Sequence, residues 1–232
     1  MAETKLQTED FFHNPILILG VPRSGTSMIA GILEICGAWL GNTIPGGGVE
    51  NPRGFFENTY LREAVNKKIL ETAGSDPSGV KSLPYFEELP QTNGLEENIR
   101  GLLKYEGYDF QTPWAFKEPK LSLIWPNYAA IFPQAHWLIV RRPREHIVAS
   151  CLNTSFMKRQ NNDPIFWYHW VDAYLERLDF LKSTNLCWSE IWSDSVIEGD
   201  FSDIKQLVQN YQLNWQEEQV INFINPKFWH FK

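Results

Sequence analysis

The chain has 232 residues, enough for one α/β domain with a substantial core and too few to require two. Hydrophobic residues make up 43% and charged residues 21%, a balance that excludes a disordered chain. A net charge of −7 argues against a general nucleic-acid binder, whose footprint would be basic, and no apolar run approaches the ~20 residues needed to span a bilayer.

Residues 1–14 open the chain with a polar, acidic stretch that has the character of neither a signal nor a transit peptide, and flexibility is expected there. Cys36, Cys151 and Cys187 form an odd set without CxxC spacing, so no metal site or disulfide framework follows. Reduced thiols in a cytoplasmic setting are the simplest account.

Ile16 to Leu19 is short, apolar and largely β-branched, which predicts a buried strand. Gly20 and Gly25 bracket the next four residues, and Met28, Ile29, Ile32, Leu33 and Ile35 then fall at helical spacing. Strand, glycine loop and helix bring backbone N–H groups and a helix N-terminus to one point, where they favour an anion. In nucleotide triphosphatases the loop ends in Gly-Lys-Ser/Thr, the lysine reaching the β- and γ-phosphates. Here Thr26 follows Gly25, and the nearby cation is Arg23 inside the loop. Such a loop is expected to hold a phosphate-like group without ordinary ATP or GTP hydrolysis.

A glycine- and proline-rich loop runs from Trp39 to Gly54, followed by Phe55, Phe56 and Glu57 and a helix over about 59–71. Residues 74–94 are again turn-rich and read as an excursion across one edge, with a lid expected from their length. A short helix is predicted over 95–105, a short strand over 114–117 and a helix over 121–131. His136 to Val140 is the second strong strand; Arg141, Arg142 and Arg144 sit at its C-terminal end, with Pro143 placed for the first turn of the next helix. Pro164 opens another helix whose aromatic stripe, Phe166, Trp167, Trp170 and Tyr174, reads as core packing. A strand over 186–192 and helices over 202–211 and 215–223 complete the pattern.

Strands alternating with helices predict an α/β fold: a three-layer αβα domain with a mostly parallel central sheet, P-loop NTPase-like, spanning the whole chain. Ligands bind such sheets at the carboxyl ends of the strands, where Arg23, Lys117 and Arg142 all fall.

Three stretches carry a resemblance. Val21 to Ser27 resembles the 5′-phosphosulfate loop of sulfotransferases, which use 3′-phosphoadenosine 5′-phosphosulfate (PAPS) as sulfuryl donor and release 3′-phosphoadenosine 5′-phosphate (PAP). Val140 to Ser150 resembles that family's 3′-phosphate motif, an arginine at a strand end paired with a serine eight residues later; this spacing selects Arg142, whereas the Arg-x-Pro pattern selects Arg141. Lys117-Glu118-Pro119 resembles a Lys-Asp-Pro stretch of tyrosylprotein-type and several bacterial sulfotransferases, and Asn51 to Asn58 their acceptor-side loop.

The resemblance spans roughly residues 15–155 and fades over the C-terminal third. It implies PAPS held at its 5′ end by Pro22, Arg23, Ser24, Gly25, Thr26 and Ser27 and at its 3′-phosphate by Arg142 and Ser150, with no metal required. It further implies transfer to a hydroxyl or amine of a small-molecule, carbohydrate or peptide acceptor. Glu57 is the expected general base, its pKa raised by Phe55 and Phe56; Glu50 is second, His136 and His146 third. Lys117 would stabilise the leaving oxygen, and Arg23 the migrating group. A P-loop nucleotide or nucleoside kinase and a catalytically inactive PAP-binding protein remain as alternatives. Acceptor identity and oligomeric state are not legible.

Overall fold

The computed structural model describes residues 10–46, 51 and 53–224. Helix α1 (Asp10–His13) precedes strand β1 (Ile16–Gly20) and helix α2 (Thr26–Ile35). A π-helical turn (Leu61–Asn66) runs straight into α3 (Lys67–Thr72), and α4 (Leu95–Tyr105) leads to β2 (Ala115–Lys117). There follow α5 (Leu121–Ile131), β3 (His136–Arg141), α6 (Arg144–Asn153), α7 (Ser155–Lys158) and α8 (Pro164–Lys182). Strand β4 (Trp188–Trp192) and helices α9 (Ser193–Ile197), α10 (Ser202–Asn210) and α11 (Glu217–Phe223) end the described chain. Within the segment expected to be flexible, residues 10–13 are helical and Phe12 is buried.

The four strands form one parallel sheet in the order β2-β1-β3-β4. Strands β1, β2 and β3 alternate between two cores, whereas the edge strand β4 gives only Ile191 to one of them. Leu17 and Leu19 of β1, with Trp137 and Ile139 of β3, pack against α5, α6 and α8 on one face. Ile16 and Ile18, with Leu138 and Val140, face α2, α10 and α11 on the other. A parallel sheet covered on both faces needs apolar residues at every position, which is why β1 and β3 are continuous hydrophobic runs. The result is the expected three-layer α/β sandwich.

The aromatic stripe on α8 is core packing: Trp167, Trp170 and Tyr174 are buried. Trp170 Nε1 and Tyr174 Oη both donate to the Gly79 carbonyl, at 2.8 and 3.0 Å. These bonds fasten the 74–94 excursion onto α8. Among the described residues no helix is long and apolar enough to cross a membrane, and all three cysteines are free thiols.

Candidate functional site

The C-terminal end of β1 makes a tight turn, Ser24 N–H donating to the Val21 carbonyl at 3.0 Å. Arg23 (φ 78°) and Gly25 (φ 96°) both take left-handed backbone conformations. For arginine this is uncommon and costs energy, so the surrounding loop must impose it. Left-handed residues alternating with right-handed ones point successive N–H groups inward, making an anion nest. Helix α2 starts at this nest and has no side-chain cap, so its first amides add their partial positive charge to the same point.

Arg23 Nε donates to Ser150 Oγ at 3.0 Å, joining the loop to α6. Arg142 Nη1 donates to the Arg23 carbonyl at 3.1 Å, and Arg142 Nε stands 3.9 Å from Asp194 Oδ1 on α9. The Arg142 pKa is lowered to about 10, chiefly by burial and then by the Arg23 charge, against the pull of Asp194. Two cations and a serine hydroxyl thus meet beside the nest, Arg23 from the loop after β1 and Arg142 and Ser150 from the β3–α6 segment, 119 and 127 residues further along the chain. Arg141 points elsewhere, pairing with Asp179 of α8 and, at 2.9 Å, with Glu190 of β4. Neighbouring residues on a strand face opposite ways, so only one of the two arginines can reach the loop.

The loop hydroxyls have different surroundings. Ser27 Oγ donates to the Phe55 carbonyl at 3.1 Å, so this hydroxyl ties α2 to the following loop and leaves only the Ser27 amide for an anion. Ser24 Oγ is buried and has no hydrogen-bond partner among the described residues. Thr26 is buried as well.

The second cluster lies beyond the end of β2. Lys117 Nζ donates to Glu57 Oε1 at 2.8 Å, and Arg62 Nε approaches Glu57 Oε2 at 3.1 Å. Lys120 Nζ pairs with Glu118 Oε1 at 3.0 Å, while Arg62 Nε is 3.8 Å from Glu118 Oε2. The expected upward pKa shift of Glu57 is not found. Burial does push it up, but the charges of Lys117, Lys120 and Arg62 outweigh burial and hold it below the ordinary carboxylate range. Phe56, assigned to its apolar surroundings, adopts φ 56° and turns into the opposite core, edge-on to Phe223 at 5.8 Å.

The same cluster walls a cavity of about 600 Å³. Pro22 of the loop, Glu57, Arg62, Glu118 and Lys120 line one side, and Val80, Phe156 and Trp170 the other. Glu50 lies outside the described residues. The remaining base candidates are placed away from this cavity: His136 begins β3 at the far end of the sheet, bonded to Ser189 Oγ at 2.7 Å, and burial lowers its pKa to about 4. His146 faces Asp194 at 3.3 Å. Arg144 pairs with Asp172, and Lys158 and Arg159 are exposed. The sequence reading missed Arg62 and gave no role to Glu118 or Lys120; the charge density of Lys-Glu-Pro-Lys at a strand end was the available signal.

No protein-family model matches the sequence, and no curated protein does either. Its fold is similar to that of the sulfotransferase domain of the Synechococcus PCC 7002 olefin synthase: TM-score 0.57, 14% identity, covering 94% of this chain and 79% of that one. It is also similar to the sulfotransferase domain from the curacin biosynthetic pathway: TM-score 0.53, 16% identity, covering 91% of this chain and 78% of that one. The chain has the sulfotransferase fold.

Proposed function

We propose that the chain is a sulfotransferase, moving a sulfuryl group from PAPS to a hydroxyl or amine of a small-molecule, carbohydrate or peptide acceptor. The observation that carries this reading is the meeting of Arg23, Arg142 and Ser150 beside an uncapped helix N-terminus. PAPS bears negative charge at two separated places, and two cations would serve them. Arg142 is buried deeply enough to disfavour its charge, so an anion there would relieve a cost that the fold already bears. Pro22 to Ser27 would hold the 5′ end through loop amides and Arg23, and Arg142 with Ser150 the 3′-phosphate. When bound, PAPS supplies the sulfuryl group. Sulfuryl transfer resembles phosphoryl transfer in depending mainly on positioning and charge stabilisation, and Lys117 would stabilise the charge on the departing oxygen.

Calorimetry tests the donor. Each hydrogen bond to a charged group contributes roughly 1.5–3 kcal/mol, so PAP should bind at least about tenfold more tightly than 5′-AMP or ATP with Mg²⁺. Equal affinities for PAP and 5′-AMP would sink the assignment.

The two arginines should separate in opposite directions. Arg142→Ala is expected to weaken PAP binding by roughly 10- to 100-fold, the loss of one ionic contact, while melting changes little. Arg141→Ala should leave PAP affinity intact and lower the melting temperature, because Asp179 and Glu190 lose their shared partner. If Arg141→Ala alone weakens PAP, the 3′-phosphate site is misplaced by one residue.

A further inference from the structure

We propose that Glu118, the residue after Lys117, takes the acceptor's proton, with Glu57 serving to hold Lys117 beside it. The proposal rests on the sulfuryl-transfer reading and assigns the base of that same site.

Glu118 is 1% exposed, yet its side chain forms part of the cavity wall. Its two oxygens have different surroundings. Oε1 is clamped by Lys120, whose Nζ lies at 3.0 Å and whose amide N–H donates at 3.3 Å. Oε2 is buried and has no hydrogen-bond partner among the described residues, its nearest cation being Arg62 Nε at 3.8 Å. A buried carboxylate oxygen left unmatched costs free energy, and a hydroxyl entering the cavity would supply the missing donor. Glu57 is the more tightly paired carboxylate: Lys117 donates to one of its oxygens, and Arg62 Nε ion-pairs with the other at 3.1 Å, against 3.8 Å from the same nitrogen to Glu118 Oε2.

Proton affinity separates the two carboxyls in the same sense. Burial, followed by the negative charge of Glu57, raises the Glu118 pKa past the opposing pull of Lys120 and Lys117. Glu57 is held below the ordinary range. A base works best when its pKa lies near the working pH, so the raised carboxyl is the better acceptor of a proton. Two carboxyls pushed apart by one environment mark a division of roles. The groups facing Glu118 are Glu57 and Arg62 from the preceding segments, Lys117 and Lys120 on its own, and Tyr128 of α5 and Tyr174 of α8.

In the step, the acceptor oxygen bonds to sulfur as the bond from sulfur to the 5′-phosphate oxygen breaks. That electron pair departs with PAP, and the acceptor's proton passes to Glu118 Oε2 and then to water. The sum is acceptor–OH plus PAPS giving acceptor sulfate, PAP and one proton.

Glu118→Gln keeps the size of the side chain and an oxygen for Lys120 but cannot hold the transferred proton. Its turnover should fall by about 10²–10⁴-fold with PAP affinity unchanged. The wild-type kcat/KM should rise with pH through a carboxyl pKa above the ordinary range, and this limb should vanish from the residual activity. Glu118→Asp, which retains the acid one methylene further back, should keep the limb while turning over more slowly. A second readout needs no activity. Difference infrared spectra of the ligand-free protein should show a protonated carboxyl band titrating above the ordinary carboxylate range. The band should disappear in Glu118→Gln and titrate at lower pH in Glu57→Gln, where the neighbouring negative charge is gone. Normal PAP binding together with wild-type turnover in Glu118→Gln, or a band that survives this substitution, overturns the role of Glu118 alone. Failure of the wild-type protein to bind PAP overturns the transfer reading and this role with it.

Discussion

Replacing Lys117 by methionine should lower stability by about 3–5 kcal/mol, the usual cost of stripping a buried ion pair of one partner. Lys117 is 1% exposed and its ammonium lies 2.8 Å from Glu57 Oε1. Methionine fills similar volume, so the loss reports charge and not a cavity. Without the ammonium, Glu57 and Glu118 face each other with only Lys120 and Arg62 to balance them. The pH dependence gives the sign. A carboxyl whose folded pKa is depressed contributes stability above its unfolded pKa and loses that contribution as pH falls through the folded value. Glu57 is such a group. The penalty in Lys117→Met should therefore be greatest near neutrality and shrink on acidification, as the stranded carboxyls take up protons. Denaturant unfolding of both proteins across the acid range measures this. A penalty that stays constant with pH would mean that Lys117 matters for packing and not for its pairing with Glu57.

Gly20→Val should cost about 3 kcal/mol or more, the upper end of what overpacking does, and should abolish PAP binding. A β-carbon at position 20 would stand 2.5 Å from the Val140 carbonyl oxygen and 2.7 Å from Ser24 Oγ. The first of these is backbone of β3, in register with Gly20 itself, so it cannot swing aside as a flexible side chain would. Either β1 separates from β3 or the loop after Gly20 shifts. Both displace Arg23 from Ser150 and scatter the amides of the nest. Thermal unfolding and PAP calorimetry on one sample check both halves of the expectation. A folded variant with unchanged affinity would show that the β1 turn tolerates displacement and that the site does not depend on its close approach to β3.

How much of this was legible beforehand follows from the range of the interactions concerned. The strands β1 and β3, the glycine loop between β1 and α2, and the helix opened by Pro164 are written in local patterns: apolar runs, paired glycines, a proline at a helix start. Those patterns also placed Arg23, Lys117 and Arg142 at the carboxyl ends of strands, because strand direction in a parallel sheet follows from chain order. The preference for Arg142 over Arg141 came from the eight-residue spacing to Ser150 in the motif that the chain resembles; in the fold Arg142 turns to the Arg23 carbonyl and Arg141 to Glu190. Residue chemistry at one position could not say more than this.

Charge balance was decided by the tertiary structure. Glu57 meets Lys117 across 60 residues of chain, and Arg23 meets Ser150 across 127. A carboxyl beside two phenylalanines in sequence looks apolar, but Phe56 turns into the far core while Arg62, in the π-helical turn that follows, brings its guanidinium back to the carboxylate. The loop hydroxyl of Ser27 was drawn to the Phe55 carbonyl for the same reason, since the folded chain offers a partner that linear spacing does not reveal. Electrostatic energies depend on distances of a few ångströms and on the burial of each group. The sequence by itself determined which chemical groups reach the edge of the sheet; only the folded arrangement, by setting those distances, decided which carboxyl is neutralised and which is left with an oxygen to spare.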